Sequence, residues 1–386
     1  MTPSARVQAA IELLDLVITA TARDGAAADT IIADWFRSRR FAGSKDRRAI
    51  REHVYAAIRR YGEAPESGRA AMLGLLGAES PLFDGSAYGP ASPHETEVAA
   101  TSTGLAPWLT ALLPDQAALG LDGRAPLDLR VNRLRASRDA ILAALGAGEA
   151  IAGLADGIRL NEGFPIESHA VWRDGLVEVQ DAGSQWIVQL CAAAPGMSVI
   201  DLCAGGGGKT LALAAAMAGK GRIVACDVNR DRLSRLAPRA ARAGATAIET
   251  RLLDAGREAE ALADLAQAGD LVLVDAPCSG SGTWRRNPEA RWRMRPERLA
   301  RVIAQQRHVL DLAAPLVRPG GALVYAVCSV IAAEGADQAD AFVRRHPDFA
   351  PEPLRPAIGV PAGNGLLLSP LRDATDGFFI ARLARC

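Results

Sequence analysis

Lysine is scarce. The 386 residues contain three, Lys45, Lys209 and Lys220, so nearly all positive charge is carried by arginine. A GC-rich genome accounts for most of that bias, although a guanidinium grips phosphate in two-pronged fashion and so suits RNA contact. Net charge is also missing, with 44 basic side chains against 44 acidic ones. No global positive field advertises nucleic acid, and any such binding must come from local patches. Among Cys191, Cys203, Cys226, Cys278, Cys328 and Cys386 no pair has Cys-x-x-Cys spacing, and no histidine lies nearby at ligand spacing. That argues against zinc, and no metal is expected. No run of about 18 apolar residues occurs, so no membrane span is expected. The apolar N-terminal stretch is interrupted by Glu12 and Asp15. No signal peptide is expected there, and the chain reads as a cytoplasmic monomer with reduced thiols.

What is present suffices for well-buried cores: 49% of the residues are hydrophobic, which excludes a disordered chain. The length suggests two or three domains. Residues 1–62 read as helices, with Ile11, Leu14 and Val17, then Ile50, Val54, Ala57 and Ile58, at helical spacing. Between them runs a basic stretch, Arg37, Arg39, Arg40, Lys45, Arg47, Arg48 and Arg51. It is either a solvated helix face or a phosphate-binding patch. Residues 63–125 read as short helices around a loop at 81–95. In 126–178, "PLDLRVNRLR", "IRLNEG" and "LVEVQD" read as strands and "RDAILAALGAG" as a helix, a small α+β unit whose Arg130 and Arg133 could face RNA. Beyond it, "SVIDLC", "RIVACDV", "AIETRLLD", "LVLVDAP", "ALVYAVCS" and "GFFIARLAR" alternate with helical segments at 209–218, 230–243, 296–317 and 334–345. Such alternation argues for an open, mostly parallel sheet with helices on both faces.

The stretch "VIDLCAGGGGKT" is a strand, four glycines and a helix start. Glycines there permit a sharp turn and close approach of a ligand to the backbone. Three ligand classes compete. A P-loop needs glycine where Cys203 stands, and a dinucleotide fingerprint beginning at Gly205 needs glycine where Thr210 stands. S-adenosylmethionine needs a tight glycine turn and an acid ending the second strand, which Asp227 supplies. Asp254, after the third strand, could receive the adenine amino group. The ordered set of glycine turn, Asp227, Asp254 and Asp275 indicates a nucleotide-like ligand at the carboxyl ends of the strands.

Two apolar strands, "LVLVDAP" and "ALVYAV", are each followed at once by a cysteine, Cys278 and Cys328. On neighbouring strands, about 4.8 Å apart, the two thiols would project at one edge. A single cysteine there is often just a small buried hydrophobe, but packing does not readily explain two. Carbon 5 of cytosine is a poor nucleophile until a thiolate adds to carbon 6, and a base must afterwards remove the carbon 5 proton. Lys209 could favour the thiolate, and Asp275 could hydrogen-bond the exocyclic amine and nitrogen 3 region. The target base must be unpaired or extruded. This chemistry leaves open which cysteine attacks. Eight arginines between 285 and 307 interleave with Trp284 and Trp292. Arg285 and Arg286 read as RNA contacts, and much of the rest as packing.

These residues resemble the RsmB/Sun family of RNA cytosine-5 methyltransferases. The family's first motif, Asp-x-Cys-Ala-Ala-Pro-Gly-Gly-Lys-Thr, corresponds to Asp201–Thr210, with Gly205 and Gly206 in place of Ala-Pro. "DAPCSGSG" with "RRNPE", "YAVCS", "VQDAGSQ" and "DGFFIARL" resemble further motifs, Val327 replacing the usual threonine before Cys328. The resemblance covers about 126–386, and "GSKDRR" within 1–62 is similar to a NusB-like helical domain. It implies an α/β fold: a Rossmann-like class I methyltransferase domain with a mostly parallel seven-stranded sheet at 179–386, a helical NusB-like RNA-binding domain at 1–125, and the α+β module at 126–178. It implies a cradle for S-adenosylmethionine from Cys203, Ala204, Gly205, Gly206, Gly207, Gly208 and Lys209, with Asp227, Asp254 and Asp275. It further implies Cys328 as nucleophile, Cys278 as the releasing thiol, and a cytidine of 16S ribosomal RNA as substrate. A transfer RNA substrate, a decayed RNA-binding factor and a P-loop ATPase are the rival expectations.

Overall fold

The computed structural model describes residues 1–23, 25–102, 104–113, 119–354 and 358–386. Contacts divide the chain into two compact units, 1–116 with 283–296, and 117–282 with 297–386.

The first unit is helical. Helix α1 (Pro3–Ala22) starts where the Thr2 hydroxyl accepts from the Ala5 amide and proline occupies the first turn, a position where its missing N–H costs nothing. Its apolar stripe, Val7, Ala10, Leu13, Leu14 and Val17, is fully buried. Each large side chain so buried contributes roughly 1.5–3 kcal/mol, so packing rather than propensity holds the helix. Helices α2 (Ala28–Ser38), α3 (Ser44–Arg60) and α4 (Gly68–Leu76) complete the group. The α3 positions expected in the core, Ile50, Val54, Ala57 and Ile58, are all buried. Gly68 is required because a Cβ there would lie 2.2 Å from the Ile11 carbonyl oxygen. Among the described residues of 63–125, α4, the four-residue turn Pro107–Thr110 and Leu119 are assigned helical, and the loop at 81–95 contains no helix. The parts of that expectation at 103 and 114–118 lie outside the described residues.

Segment 283–296, which the sequence placed inside the catalytic domain, belongs to the helical unit. The reason is specific bonding. Trp292 is buried and its indole N–H donates to the Tyr61 carbonyl at 2.9 Å. Arg291 donates to the Ile58 and Arg59 carbonyls, both at 2.9 Å. These are orphan acceptors at the C-terminus of α3, where a cation is favoured. Glu289 accepts from the Ala28 amide at 3.0 Å. It thereby caps α2, whose own N-cap, Ala27, supplies no side-chain bond.

The second unit contains two sheets. The smaller is antiparallel, in the order β2 (Glu149–Ala150), β3 (Gly157–Leu160), β1 (Leu127–Val131), β4 (Val177–Val179). With helix α5 (Arg138–Leu145) it surrounds its own core of Leu129, Val131, Ile141, Leu145, Ile158 and Val177. Asp128 and Arg159 face each other across β1 and β3 and bond in two-pronged fashion at 2.7 and 2.9 Å.

The larger sheet has nine strands rather than seven. Its order is β11 (Val360–Ala362), β12 (Gly365–Leu368), β13 (Phe378–Arg385), β9 (Val317–Val327), β8 (Gly269–Asp275), β5 (Ser198–Asp201), β6 (Arg222–Asp227), β7 (Ile248–Leu252), with β10 (Phe349–Pro351) paired to β13. Strands β5 to β9 are parallel and the rest antiparallel. The short strands β10 and β11 carry no apolar run long enough to signal them. Within the parallel strands the order ascends in both directions from β5, to β7 on one side and to β9 on the other, so the switch point, where open α/β sheets bind ligands, lies beyond the ends of β5 and β8. Two helices end earlier than periodicity suggests. Pro238 divides 230–243 into Arg230–Leu233 and Leu236–Ala243, and Pro315 lies just past the end of Pro296–Ala313, each proline lacking the amide a continuing helix needs. No helix among the described residues is long and apolar enough to cross a membrane.

Candidate active site

Strand β5 runs into a turn and then into helix α7 (Gly208–Ala216), α6 being Ala182–Cys191 before it. Gly205 and Gly207 both take left-handed backbone, with φ of 54° and 83°. At Gly207 a Cβ would also lie 2.1 Å from Leu236 Cδ1. At Gly205, by contrast, nothing lies within 4 Å of where a Cβ would be. The turn is therefore tight against the protein on one side and open on the other, as close approach of a cofactor requires.

Asp227, at the end of β6, braces that turn. Its Oδ2 accepts from the Gly205 amide at 2.8 Å and its Oδ1 from the Asn229 amide at 2.6 Å. Each oxygen keeps lone-pair capacity for a hydroxyl, so the residue fits both tasks. Asp254 is exposed just beyond β7. Cys203 is half-buried, and burial, with Asp201 and other acids, pushes its thiol well up. An inert, protonated thiol suits a wall of the cradle. Ala204 is buried and Gly206, Gly208 and Lys209 continue the turn. Arg239 ties the turn to the small sheet, donating to the Gly206 carbonyl and, at 2.7 Å, to Glu178.

Asp275 ends β8, and Lys209 Nζ donates to its Oδ2 at 2.7 Å. Burial alone would lower the lysine, but the Asp275 charge and hydrogen bond, aided by Cys328, more than offset it and leave it raised. The register pairs Asp275 with Ala326. Cys278 and Cys328 thus follow the carboxyl ends of neighbouring strands, and their sulfurs lie 3.3 Å apart. The hydrogen bond shared with Cys328, then burial, pushes the Cys278 thiol well up.

Sequence reasoning missed the group that holds both cysteine loops, Glu334. It is fully buried. Its Oε1 accepts from the Ser279 amide at 2.7 Å and from Gln306 at 3.0 Å. Its Oε2 accepts from the Ser279 and Ser329 hydroxyls, each at 2.5 Å. Ser279 adjoins Cys278 and Ser329 adjoins Cys328, so one carboxyl group fixes both. The signal was available: a lone acid six positions after Cys328 in the apolar run "VIAAE". Gly282 completes the clamp, donating to the Cys328 carbonyl at 3.1 Å. Any Cβ there would lie 1.9 Å from the Gly377 carbonyl oxygen.

The expected RNA contacts fare differently. Arg130 is buried, donates to Gln180 at 2.7 Å, and is pushed down to about 10 by burial. It braces the small sheet instead of facing solvent. Alternation along β1 was read correctly, but the face opposite Leu129 and Val131 is covered as well. Arg133 is half-exposed and paired with Asp156 at 2.6 Å. Arg285 is buried and Arg286 half-buried, both in the helical unit. Among the described residues no cluster could hold a metal.

A model of the 16S rRNA methyltransferase RsmB/F family matches residues 186–384, more than half of the chain. A Synechocystis protein named probable ribosomal RNA small subunit methyltransferase B is 35% identical over 270 residues, 67% of this chain and 60% of that protein. The chain thus spans 60% of that relative's length. A solved methyltransferase homologue from Pyrococcus horikoshii covers 71% of this chain and 92% of its own at TM-score 0.61 and 25% identity. NSun6 from the same organism, solved with SFG, covers 72% and 96% at TM-score 0.64 and 19% identity. The fold is that of methyltransferase homologues. The chain belongs to the RsmB/F family.

Proposed function

We propose that this protein transfers the methyl group of S-adenosylmethionine to carbon 5 of a cytidine in small-subunit ribosomal RNA, through a covalent bond between Cys328 and carbon 6. The observation that carries the reading is the pair of sulfurs 3.3 Å apart, beside the Lys209–Asp275 ion pair. The cradle residues fit the cofactor: an open face at Gly205, Asp227 bonded into the turn and Asp254 exposed beyond the next strand. The NSun6 structure carries SFG, sinefungin, an analogue of S-adenosylmethionine. The bound cofactor supplies an electrophilic methyl group.

The chain's own residues do the rest. Cys328 Sγ adds to carbon 6 as a thiolate, and the electron pair of the 5,6 double bond becomes available at carbon 5. Carbon 5 takes the methyl group. Its remaining proton must then leave so that the double bond re-forms and Cys328 departs as thiolate. Once Cys328 is bonded to carbon 6 and no longer shares the hydrogen bond that raises Cys278, Cys278 gives its own proton to solvent and, as thiolate, takes the carbon 5 proton. Lys209 supports the thiolate and Asp275 orients the base. We read the helical unit as a NusB-like RNA-binding domain.

The test is methyl transfer from labelled cofactor to unmodified 16S ribosomal RNA, with transfer RNA in parallel. Wild type labels the ribosomal RNA. Cys328→Ala gives neither label nor adduct, and Cys278→Ala accumulates an RNA–protein adduct stable to denaturing gels. Binding without labelling by wild type means a decayed enzyme. Adduct trapped by Cys328→Ala and lost in Cys278→Ala means the two roles are exchanged.

A further inference from the structure

The catalytic reading does not use the turn between α2 and α3. In a chain of zero net charge, positions 37–51 carry seven cations, Arg37, Arg39, Arg40, Lys45, Arg47, Arg48 and Arg51, and one acid, Asp46. The structure shows which of these charges are already used. Arg37 pairs with Asp34. Arg39 reaches Glu12 at 3.3 Å and lies 4.1 Å from the centre of the Trp35 ring. Arg47 donates to the Ala42 carbonyl at 2.9 Å, and both it and Arg51 lie over Phe36. Asp46 does not neutralise the turn, because Arg6 and the Met1 ammonium already bond it at 2.9 and 3.3 Å. Arg40, Lys45 and Arg48 are exposed and make no hydrogen bond, ion pair or ring contact among the described residues.

Phe41 directly follows Arg40 and precedes Lys45 and Arg48 in the chain. The Ala42 amide donates to the Arg39 carbonyl at 3.2 Å, closing a turn with Arg40 and Phe41 at its centre. Phe41 is 71% exposed. A phenyl ring held in water costs free energy that nothing inside the unit offsets, since Trp35 and Phe36 next to it are buried. A bare aromatic ring flanked by unpaired cations has the two components by which single-stranded nucleic acid is held: a stacking surface for a base and charges for the adjoining phosphates.

We propose that the turn Arg39–Gly43 is a docking surface for single-stranded RNA, with Phe41 stacking on an unpaired base and Arg40, Lys45 and Arg48 contacting phosphates. This rests on the reading that the protein acts on RNA. A protein partner is disfavoured because three clustered, unpaired cations would each be desolvated on docking, whereas phosphate oxygens replace their water directly.

The full-length protein is titrated with a fluorescein-labelled 20-nucleotide single strand of RNA and with the duplex of the same sequence, over a range of salt. Phe41→Ala weakens single-strand binding by roughly 5-fold to 150-fold, the worth of one stacked base. It leaves the duplex affinity and the salt slope as in wild type. Phe41→Trp retains the affinity. Arg40→Gln with Arg48→Gln lowers the slope of log affinity against log salt by about 1.4, at about 0.7 per phosphate contact on a single strand. Phe41 is exposed, so the variant folds, and circular dichroism verifies it. Wild-type single-strand affinity in Phe41→Ala, the outcome a protein-docking role predicts, overturns the proposal, as does an unchanged slope in the arginine variant. Methyl transfer by wild type is measured alongside. Weakened RNA binding in Phe41→Ala without any labelling by wild type keeps this surface and sinks the catalytic reading. Labelling by wild type with unaltered binding in Phe41→Ala does the reverse.

Discussion

Replacing Glu334 by alanine removes the acceptor that both cysteine loops share. The cost follows from what remains. The Ser279 and Ser329 hydroxyls can rotate towards other partners: Ser329 has Ser281 Oγ at 2.9 Å. The Ser279 amide cannot rotate. Gln306 retains its bond to the Pro277 carbonyl at 3.0 Å but loses its second one. Two buried donors are left unsatisfied at about 1–3 kcal/mol each. A cavity term for the lost side chain adds to this, so Glu334→Ala costs about 3–5 kcal/mol. Glu334→Gln keeps one accepting oxygen, and its amide can donate to hydroxyls that turn round, so about 1–2 kcal/mol is expected. Urea denaturation measures both. A structural role alone would stop there. A positioning role predicts more: in folded Glu334→Gln the iodoacetamide reactivity of Cys278 rises relative to that of Cys328, because the 3.3 Å contact that raises the Cys278 thiol is relaxed. Stability of Glu334→Ala within 1 kcal/mol of wild type (by the same reckoning of unsatisfied donors) would refute the account of the network. Unaltered thiol selectivity in Glu334→Gln would refute its positioning role.

Three further outcomes are expected. Gly207→Ala combines left-handed backbone with a 2.1 Å clash against Leu236, costing about 1–3 kcal/mol, and S-adenosylhomocysteine titration should show weakened binding; wild-type melting and affinity would contradict this. Lys209→Met leaves Asp275 without its cation and should slow alkylation of Cys328 near neutral pH, while an undiminished rate would show that the lysine does not support the thiolate. Asp201 is buried, Thr210 bonds one of its oxygens at 2.7 Å, and burial, more than the neighbouring acids, raises it from 3.8 to about 7. Between those values the folded state holds the proton that the unfolded state has released. Stability from this group therefore falls as pH rises from about 4 to about 7, by up to about 1.4 kcal/mol per unit. Asp201→Asn should flatten that slope in chemical denaturation measured across the range, and an unchanged slope would remove Asp201 as its source.

Much of the site was legible because its signals are local. Apolar strand followed by acid, or by cysteine, is visible within a ten-residue window, and Asp227, Asp275, Cys278 and Cys328 all end strands of the parallel sheet or follow them closely. The helical periodicity of Ile50, Val54, Ala57 and Ile58 is equally local. Glu334 was overlooked because three of its four donors come from two other segments, at 279 and 306; the lone acid in "VIAAE" signals a buried carboxyl group but not which groups bond it. Segment 283–296 was assigned to the wrong unit for the same reason. It is contiguous with the cysteine motif in sequence, but its acceptors are carbonyls at positions 25, 26, 58, 59 and 61. The nine-strand sheet exceeded the expected seven because β10 and β11 are three-residue strands held by pairing to their neighbours rather than by their own patterning.

The arginines carry the same lesson furthest. Density of positive charge in the sequence does not separate a binding surface from a structural brace. The stretch 285–307 holds eight arginines among tryptophans, the composition of an RNA-binding segment, but Arg291 and Arg293 donate to backbone carbonyls and Arg285 is buried. Arg130, Arg239 and Arg242 are committed to Gln180 and Glu178 in the same way. What distinguishes the α2–α3 turn is not its composition but the supply of acceptors. Arg130, Arg239, Arg242, Arg291 and Arg293 each donate to a carbonyl or carboxyl oxygen inside the protein, which offsets much of the cost of burying them. Around Arg40, Lys45 and Arg48 the acids Asp34, Asp46 and Glu12 are already bonded to other cations, and exposed Glu52 is bonded to none of the three. A guanidinium with no internal acceptor stays in water until an external one arrives, and the exposed ring of Phe41 selects a flexible, base-bearing chain as the polyanion that fits.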